Sequence, residues 1–385
     1  LVGFERASAL IQRQELEETE QKILAPYAVK SADSRGREFE EEEHPYRTRF
    51  QRDRDRIVHS SAFRRLEYKT QVFVSHEGDY YRTRLTHSLE VSQIARSICK
   101  SMALNEDLAE AVALAHDLGH PPFGHTGQDI LNKLMKPYGG FEHNRQSLRI
   151  VKRLEKRYPE FDGLNLTWES LEGISKRFID PENPLAKIPE RKNPSLEAQV
   201  VDFADSIAYN AHDLDDGVTS GLLDLEHLKK LALWRDAENE LKSKYSNLDD
   251  KLIKYQSVKN IINSMVTDFL KTTLTLLKER GIKSADEIRV SPKPLASFSR
   301  EMEEKNKELK KYLYKNMYTH RRIQRTEFKA ELQLSKLFSA YMKTPALLPE
   351  PSLKAERHGT LERRICDYIS GMTDRYATEE YENLY

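Results

Sequence analysis

Apolar residues recur at intervals of three to four along most of this chain, the spacing that places them on one face of an α-helix. Leu85, Leu89, Ile94, Ile98 and Met102 predict a helix over Leu85–Met102, with His87 in its first turn. Val200, Val201, Ala204, Ile207, Ala208 and Ala211 predict another over Glu197–Asp213. On that second helix Asp202, Asp205, Tyr209 and Asp213 stand at i, i+3, i+7 and i+11, so these four share a polar face. Gln71–Ser75 is the one stretch that does not read as helix or connection, and Pro and Gly break the pattern at 137–140, 181–194, 292–294 and 345–351. The pattern predicts a mainly α fold: an N-terminal arm over 1–49, a core over 50–220, a helical C-terminal extension over 221–378 that packs back on the core, and a tail at 379–385. Glu382-Asn383-Leu384-Tyr385 matches the start of a common protease-tag site and is set aside from functional argument.

Composition narrows the class. The 385 residues hold 62 basic and 62 acidic side chains, no apolar run near the ~18 residues of a membrane span and no signal-peptide core, which predicts a cytoplasmic protein with no membrane partner. Cys99 and Cys366 are too few for a disulfide framework. Zero net charge excludes a global attraction to nucleic acid, but the charge is uneven: Glu40 to Glu43 are consecutive, and 47–65 carries seven arginines. Salt bridges to Asp53, Asp55 and Glu67 account for about half of those arginines in this reading. The Ser-, Arg- and Glu-rich segment Ser31–Glu43 reads as a mobile arm or a subunit contact. The charged helices at 226–260 and 300–312 read as solvated faces.

The chemistry concentrates in Ala115-His116-Asp117-Leu118-Gly119-His120-Pro121-Pro122-Phe123-Gly124-His125. Adjacent His and Asp side chains diverge on a continuing helix, so both reach one ion only where the backbone bends, and Gly119 with Pro121-Pro122 supplies the bend. Imidazole nitrogen with carboxylate oxygen suits Mn, Fe, Co, Ni, Zn or, less well, Mg. His87 and Asp205 can complete the set. Asp205 lies among Phe203, Ala204, Ile207 and Ala208, and a buried carboxylate requires a cation or several donors. Asp202 reads more simply as solvated.

The order His87, His116-Asp117, Asp205 reproduces the H…HD…D signature of the HD superfamily of metal-dependent phosphohydrolases. His116 to His125, Tyr81-Arg82-Thr83-Arg84-Leu85-Thr86-His87-Ser88-Leu89-Glu90-Val91, Phe141-Glu142-His143-Asn144 and Asp205-Ser206-Ile207-Ala208-Tyr209-Asn210 resemble bacterial dGTPase-like deoxynucleoside triphosphate (dNTP) triphosphohydrolases. So do the stretches 50–57, 63–66 and 366–376, and the resemblance spans about residues 15 to 378.

That resemblance implies the HD-domain helical fold, one divalent metal ion held by His87, His116, Asp117 and Asp205, and water attack at the α-phosphorus that releases triphosphate whole. It implies His125 as general acid for the leaving 5′-oxygen, with His143 in the same catalytic group. Family members usually carry Asp or Glu three residues after the histidine matched by His125, where it would orient that imidazole. This chain has Gln128, which can hold a ring but cannot stabilise imidazolium by charge; Asp129 is a neighbour that would compensate. Arg84 and His120 would touch phosphates, Tyr209 the sugar, and Asp213 and Gln71 the 3′-hydroxyl. The unpaired arginines of 47–65 would be free to meet triphosphate. Related enzymes of the sterile-alpha-motif and HD-domain type place a phosphate-binding lysine directly after the last metal aspartate, where Ser206 stands here; Lys315, Arg321 and Arg375 are unranked substitutes. The family also implies a homo-oligomer, a hexamer, with activating dNTP at subunit contacts, and single-stranded nucleic acid as a further partner. The alternatives are another HD phosphohydrolase (a nucleotidase or a (p)ppGpp hydrolase) and a low-activity nucleotide- or nucleic-acid-binding homologue.

Overall fold

Helices carry nearly all of the regular structure. A computed structural model describes residues 10–71, 82–176, 191–245, 247–354 and 359–385. In chain order its α-helices are α1 (Arg13–Ile23), α2 (Arg49–Val58), α3 (Ser61–Arg65), α4 (Arg84–Ser101), α5 (Glu106–Ala115), α6 (Gly124–Met135), α7 (His143–Arg149), α8 (Trp168–Ser175) and α9 (Leu196–Thr219). The C-terminal half adds α10 (Leu225–Leu228), α11 (Ala232–Lys244), α12 (Asp250–Arg280), α13 (Ala285–Val290), α14 (Arg300–Leu313), α15 (Arg321–Lys343), α16 (Glu350–Leu353), α17 (Leu361–Ser370) and α18 (Asp374–Leu384). Among the described residues, β-pairing is limited to three isolated bridges, Arg37 with Thr167, Thr70 with Thr83 and Lys156 with Gly163. Of the expected Gln71–Ser75 strand, residues 72–75 lie outside the described residues.

The two helices read from periodicity form close to the expected bounds because side-chain caps set their starts. Thr83 accepts from the Thr86 N–H ahead of α4, and Ser195 accepts from the Ala198 N–H ahead of α9. α9 continues six residues beyond Asp213, since Leu214 is buried and Asp216 pairs with Arg82 at 2.9 Å.

Among the described residues, three apolar clusters result. The largest joins α4, α5 and α9 to α11, α12 and α14 through Val91, Ile98, Val112, Ile207, Trp234 and Phe269. A second packs Ile57, Leu66, Leu118, Val151 and Ile174, and a third packs α6 against α15, α17 and α18 through Leu131, Leu337, Tyr341 and Ile369. α4, the end of α5, the starts of α6 and α7, and α9 meet between these clusters. α18 runs on to Leu384, which packs against the third cluster with Tyr381. Among the described residues no helix is long and apolar enough to cross a membrane. Cys99 and Cys366 are both buried and free.

The expectation of a mobile arm over Ser31–Glu43 is corrected. Glu169 accepts from Ser34 Oγ at 2.7 Å and from the Arg35 N–H at 2.8 Å; Arg37 meets the fully buried Asp53 at 2.5 Å; Glu41 meets Arg56 at 2.6 Å. Ser34, Arg37 and Glu41 complement charge on α2 and α8, while Asp33, Glu38, Glu40, Glu42 and Glu43 stay exposed.

Candidate active site

A bend after α5 builds the centre of the site. The helix ends at Ala115, and His116 donates from Nδ1 to the Ala113 carbonyl at 2.6 Å, so its Nε2 carries the lone pair. That Nε2 is buried without a hydrogen-bond partner and faces Asp117 Oδ1 at 3.2 Å and Asp205 Oδ1 at 3.7 Å. His87 Nε2 lies 3.1 Å from the same Asp205 oxygen, and ligand atoms of His87, His116 and Asp117 all fall within 4.8 Å of one another. Two imidazole nitrogens and two carboxylates thus converge on one point, and an orphaned lone pair in a buried polar cluster is what a divalent ion would satisfy. Burial pushes the Asp117 and Asp205 carboxyls up, but His116, with Arg84 at Asp117 and Lys176 at Asp205, outweighs it and holds both below the ordinary range. Asp205 is not enclosed as its apolar neighbours suggested: its side chain is 27% exposed, so the centre opens on that side.

Gly119 permits the tight turn that follows. A Cβ there would stand 2.1 Å from the His143 carbonyl oxygen and 2.2 Å from the Ser147 N, so only glycine lets α7 approach. Ser147 Oγ locks the contact, accepting from Gly119 N–H at 2.8 Å and donating to the His116 carbonyl at 3.0 Å. Phe123 and Gly124 both adopt positive φ (63° and 60°), which turns the chain sharply into α6 and presents His125.

His120, His125 and His143 gather on one side of the centre. His120 and His143 stack at 4.0 Å between ring centroids, and His125 meets His120 edge-on at 5.2 Å and Tyr209 at 6.3 Å. Burial and then Arg84 keep His120 well below an ordinary imidazole pKa. Burial likewise holds His143 at about 4, so the ring is neutral near pH 7. His125 is exposed, although surrounding protein and then Arg84 lower its pKa as well. Gln128 does not face His125 as expected. Its Oε1 accepts from His143 Nδ1–H at 2.5 Å and from the His143 backbone N–H at 3.1 Å, His143 being the first residue of α7 after the Glu142 cap.

Around this core stand polar groups with unused capacity. Arg84 donates to Asp117 Oδ2 at 2.8 Å, while its Nε and Nη2 are buried without partners. Gln71 Oε1 and Asp213 Oδ1 are likewise buried and unpartnered. Tyr318, which follows α14, donates from its hydroxyl to the other oxygen of Asp213. Burial raises the Asp213 carboxyl well above its ordinary range.

Sequence reasoning missed Tyr318 and three further groups. Lys176, at φ 51° just past α8, places Nζ 3.2 Å from Asp202 and 3.5 Å from Asp205 Oδ2, so Asp202 is paired and not merely solvated. Lys310, on the α14 face read as solvated, donates to Ser206 Oγ at 2.9 Å. It therefore stands where a basic group was sought, whereas Arg375 pairs with Glu379 at 3.2 Å and Lys315 and Arg321 are exposed. His212, on α9, contacts His87 from behind with Nδ1 at 3.1 Å. Tyr318, Lys176 and Lys310 carry no spacing signal and reach the site only through tertiary packing, whereas His212 stands at i+7 from Asp205 on α9, a spacing that could have marked it. The arginines of 47–65 are mostly consumed in structure: Arg47, Arg49, Arg52, Arg54 and Arg56 all pair with carboxylates.

The chain is similar to known proteins over nearly its whole length. The family model for the HD domain matches residues 84–210, and that for a phosphohydrolase-associated domain matches 296–383. A deoxyguanosinetriphosphate triphosphohydrolase-like protein of Geobacter sulfurreducens is 48% identical over 379 residues, covering 98% of each chain. Proteins of the same description from Thiobacillus denitrificans (50% over 368 residues, 94% of this chain and 97% of the other) and Bordetella pertussis (48% over 371 residues, 94% and 96%) are similarly close.

Proposed function

The chain belongs to the deoxyguanosinetriphosphate triphosphohydrolase-like family of HD-domain phosphohydrolases, and on that premise we propose that it hydrolyses deoxynucleoside triphosphates to deoxynucleoside and inorganic triphosphate. The observation that carries the proposal is the buried, unpartnered Nε2 of His116 facing Asp117, Asp205 and the Nε2 side of His87, next to the unused guanidinium nitrogens of Arg84. His87, His116, Asp117 and Asp205 would hold one divalent ion, which when bound supplies Lewis acidity and orients a water.

The remaining steps fall to the chain's own side chains. Arg84 Nη2, Lys176 beside Asp205 and Lys310 beside Ser206 bring positive charge around the centre and would bind the phosphate oxygens. Asp213 Oδ1 would accept from the sugar 3′-hydroxyl and the Gln71 amide would donate to the oxygen of the same group, and the Tyr209 ring beside His87 and His125 would pack on the sugar edge, where a 2′-hydroxyl has least room. The exposed His125 would deliver a proton to the departing 5′-oxygen, while His120 and His143, kept neutral by burial, position the α-phosphate. The family resemblance extends this reading to a cytoplasmic homo-oligomer activated by dNTP at its subunit contacts, which sedimentation with and without dNTP tests.

The deciding experiment is product analysis with each dNTP singly and mixed, in Mn²⁺ or Mg²⁺. Intact triphosphate plus free deoxynucleoside is expected, abolished in Asp205→Ala with the fold retained. Release of monophosphate or pyrophosphate would instead favour another HD phosphohydrolase, and full activity in Asp205→Ala would refute the assignment of the centre.

A further inference from the structure

His87 has two ring nitrogens, and each meets a different partner. Nε2 faces Asp205 Oδ1 at 3.1 Å inside the His and Asp cluster, so a ligand role requires the lone pair on Nε2 and the proton on Nδ1. Nδ1 lies 3.1 Å from Nδ1 of His212. Two ring nitrogens at that separation share one proton, so His212 must accept at Nδ1 and carry its own proton on Nε2. That Nε2 is 2.7 Å from Glu90 Oε2, the geometry of a charge-assisted N–H···O bond. Glu90 is held in turn by Arg82 Nε at 3.2 Å, and Arg82 Nη1 is anchored to Asp215 and Asp216 at 2.9 Å each. Only one assignment of protons satisfies every link from Glu90 to the metal centre.

We propose that His212 and Glu90 are positioning residues that fix the tautomer and heading of His87 as a metal ligand. The inference rests on the metal reading above and adds to it residues outside the ligand set. Placement supports it: Glu90 is one turn beyond His87 on α4, and His212 is two turns beyond Asp205 on α9, so the helices that present two ligands also present the groups that orient them. The His212 ring is 2% exposed and crosses His87 at 80° with centroids 5.2 Å apart, an edge-on approach that directs a nitrogen, not a face, at its neighbour. His116 solves the same problem with a backbone carbonyl, that of Ala113. Outer partners of this kind commonly govern ligand basicity and metal affinity.

The test uses the full chain stripped of metal and titrated with Mn²⁺ against a competing fluorescent chelator. In His212→Phe, which keeps ring volume and loses the acceptor, Mn²⁺ affinity should fall roughly 10- to 100-fold. In His212→Asn the amide oxygen takes the place of Nδ1, and most of the affinity should return despite the smaller side chain. Glu90→Gln should weaken binding several-fold. A packing role predicts the reverse order, with Phe harmless and Asn worst, and that order would overturn the proposal. Equal affinity in wild type and His212→Phe would overturn it while leaving the metal centre standing; a wild type that binds no divalent ion would overturn both. Should His212→Phe not fold, ¹⁵N spectra of the wild-type imidazoles decide: protons on His87 Nδ1 and His212 Nε2 are expected, and the opposite tautomers refute it.

Discussion

Gln128→Glu asks which histidine the side chain at 128 serves. Both bonds from His143 to Gln128 Oε1, at 2.5 and 3.1 Å, survive when that oxygen becomes part of a carboxylate, so the perturbation is one of charge with little change of shape. Burial, with Lys176 and Arg84 adding to it against the pull of Glu142 and Asp117, holds His143 at about 4. A unit charge at ~4 Å in an effective dielectric of ~20 is worth about 4 kcal/mol, which at ~1.4 kcal/mol per pKa unit is close to three units. The new carboxylate must itself be desolvated, and Glu142 already lies 3.2 Å from the same ring, so the net rise should be about one to three units, to roughly 5–7. The assay is an NMR titration of the imidazole carbons in wild type and variant, paired with the pH dependence of kcat/KM. His143 should move by a unit or more while His125 stays within about half a unit. Since His143 then keeps its proton to higher pH, the acid limb of kcat/KM should shift upward by the same amount. A shift at His125 with none at His143 would refute the geometry and restore the pairing that the family resemblance implied.

Three further outcomes follow from the same structure. Because His143 is held at about 4 against an ordinary 6.5, folding stability should be complete above pH 6.5 and fall as pH drops toward 4, by up to about 3 kcal/mol from this ring alone; urea midpoints across pH 4–8 measure it, and a flat profile would contradict the burial of a neutral imidazole. Lys310→Ala, at an exposed helical position, should leave Tm unchanged and raise KM for dGTP about tenfold, read from steady-state kinetics; an unchanged KM would remove Lys310 from the phosphate site. Arg37→Ala leaves the fully buried Asp53 carboxylate without its cation and should cost about 3–5 kcal/mol in chemical denaturation, whereas a loss under ~1 kcal/mol would mean that the N-terminal segment is dispensable to the fold.

The four residues that converge at the centre were legible in the sequence because each one is announced locally. His116-Asp117 stands beside helix breakers, His87 sits in a first turn, and Asp205 is a carboxylate among apolar neighbours. Helix existence was legible for the same reason, since periodicity is a local property. What failed was everything decided by which surfaces meet. The family resemblance implied that residue 128 serves His125, but the fold brings His143, at the start of α7, onto Gln128 Oε1. Composition marked Ser31–Glu43 as a mobile arm or a subunit contact, although Ser34, Arg37 and Glu41 answer Glu169, Asp53 and Arg56 on elements up to 135 residues away. Lys310 and Tyr318 reach Ser206 and Asp213 across 104 and 105 residues, and no pattern within either segment marks them. The division has a chemical basis. Residues that would bind the ion need particular donor atoms and so leave a compositional trace, whereas residues that neutralise phosphate or orient a ligand need only be cationic or hydrogen-bonding at the right place, a demand that many surface side chains meet and that only the packing of α4, α9 and α14 resolves.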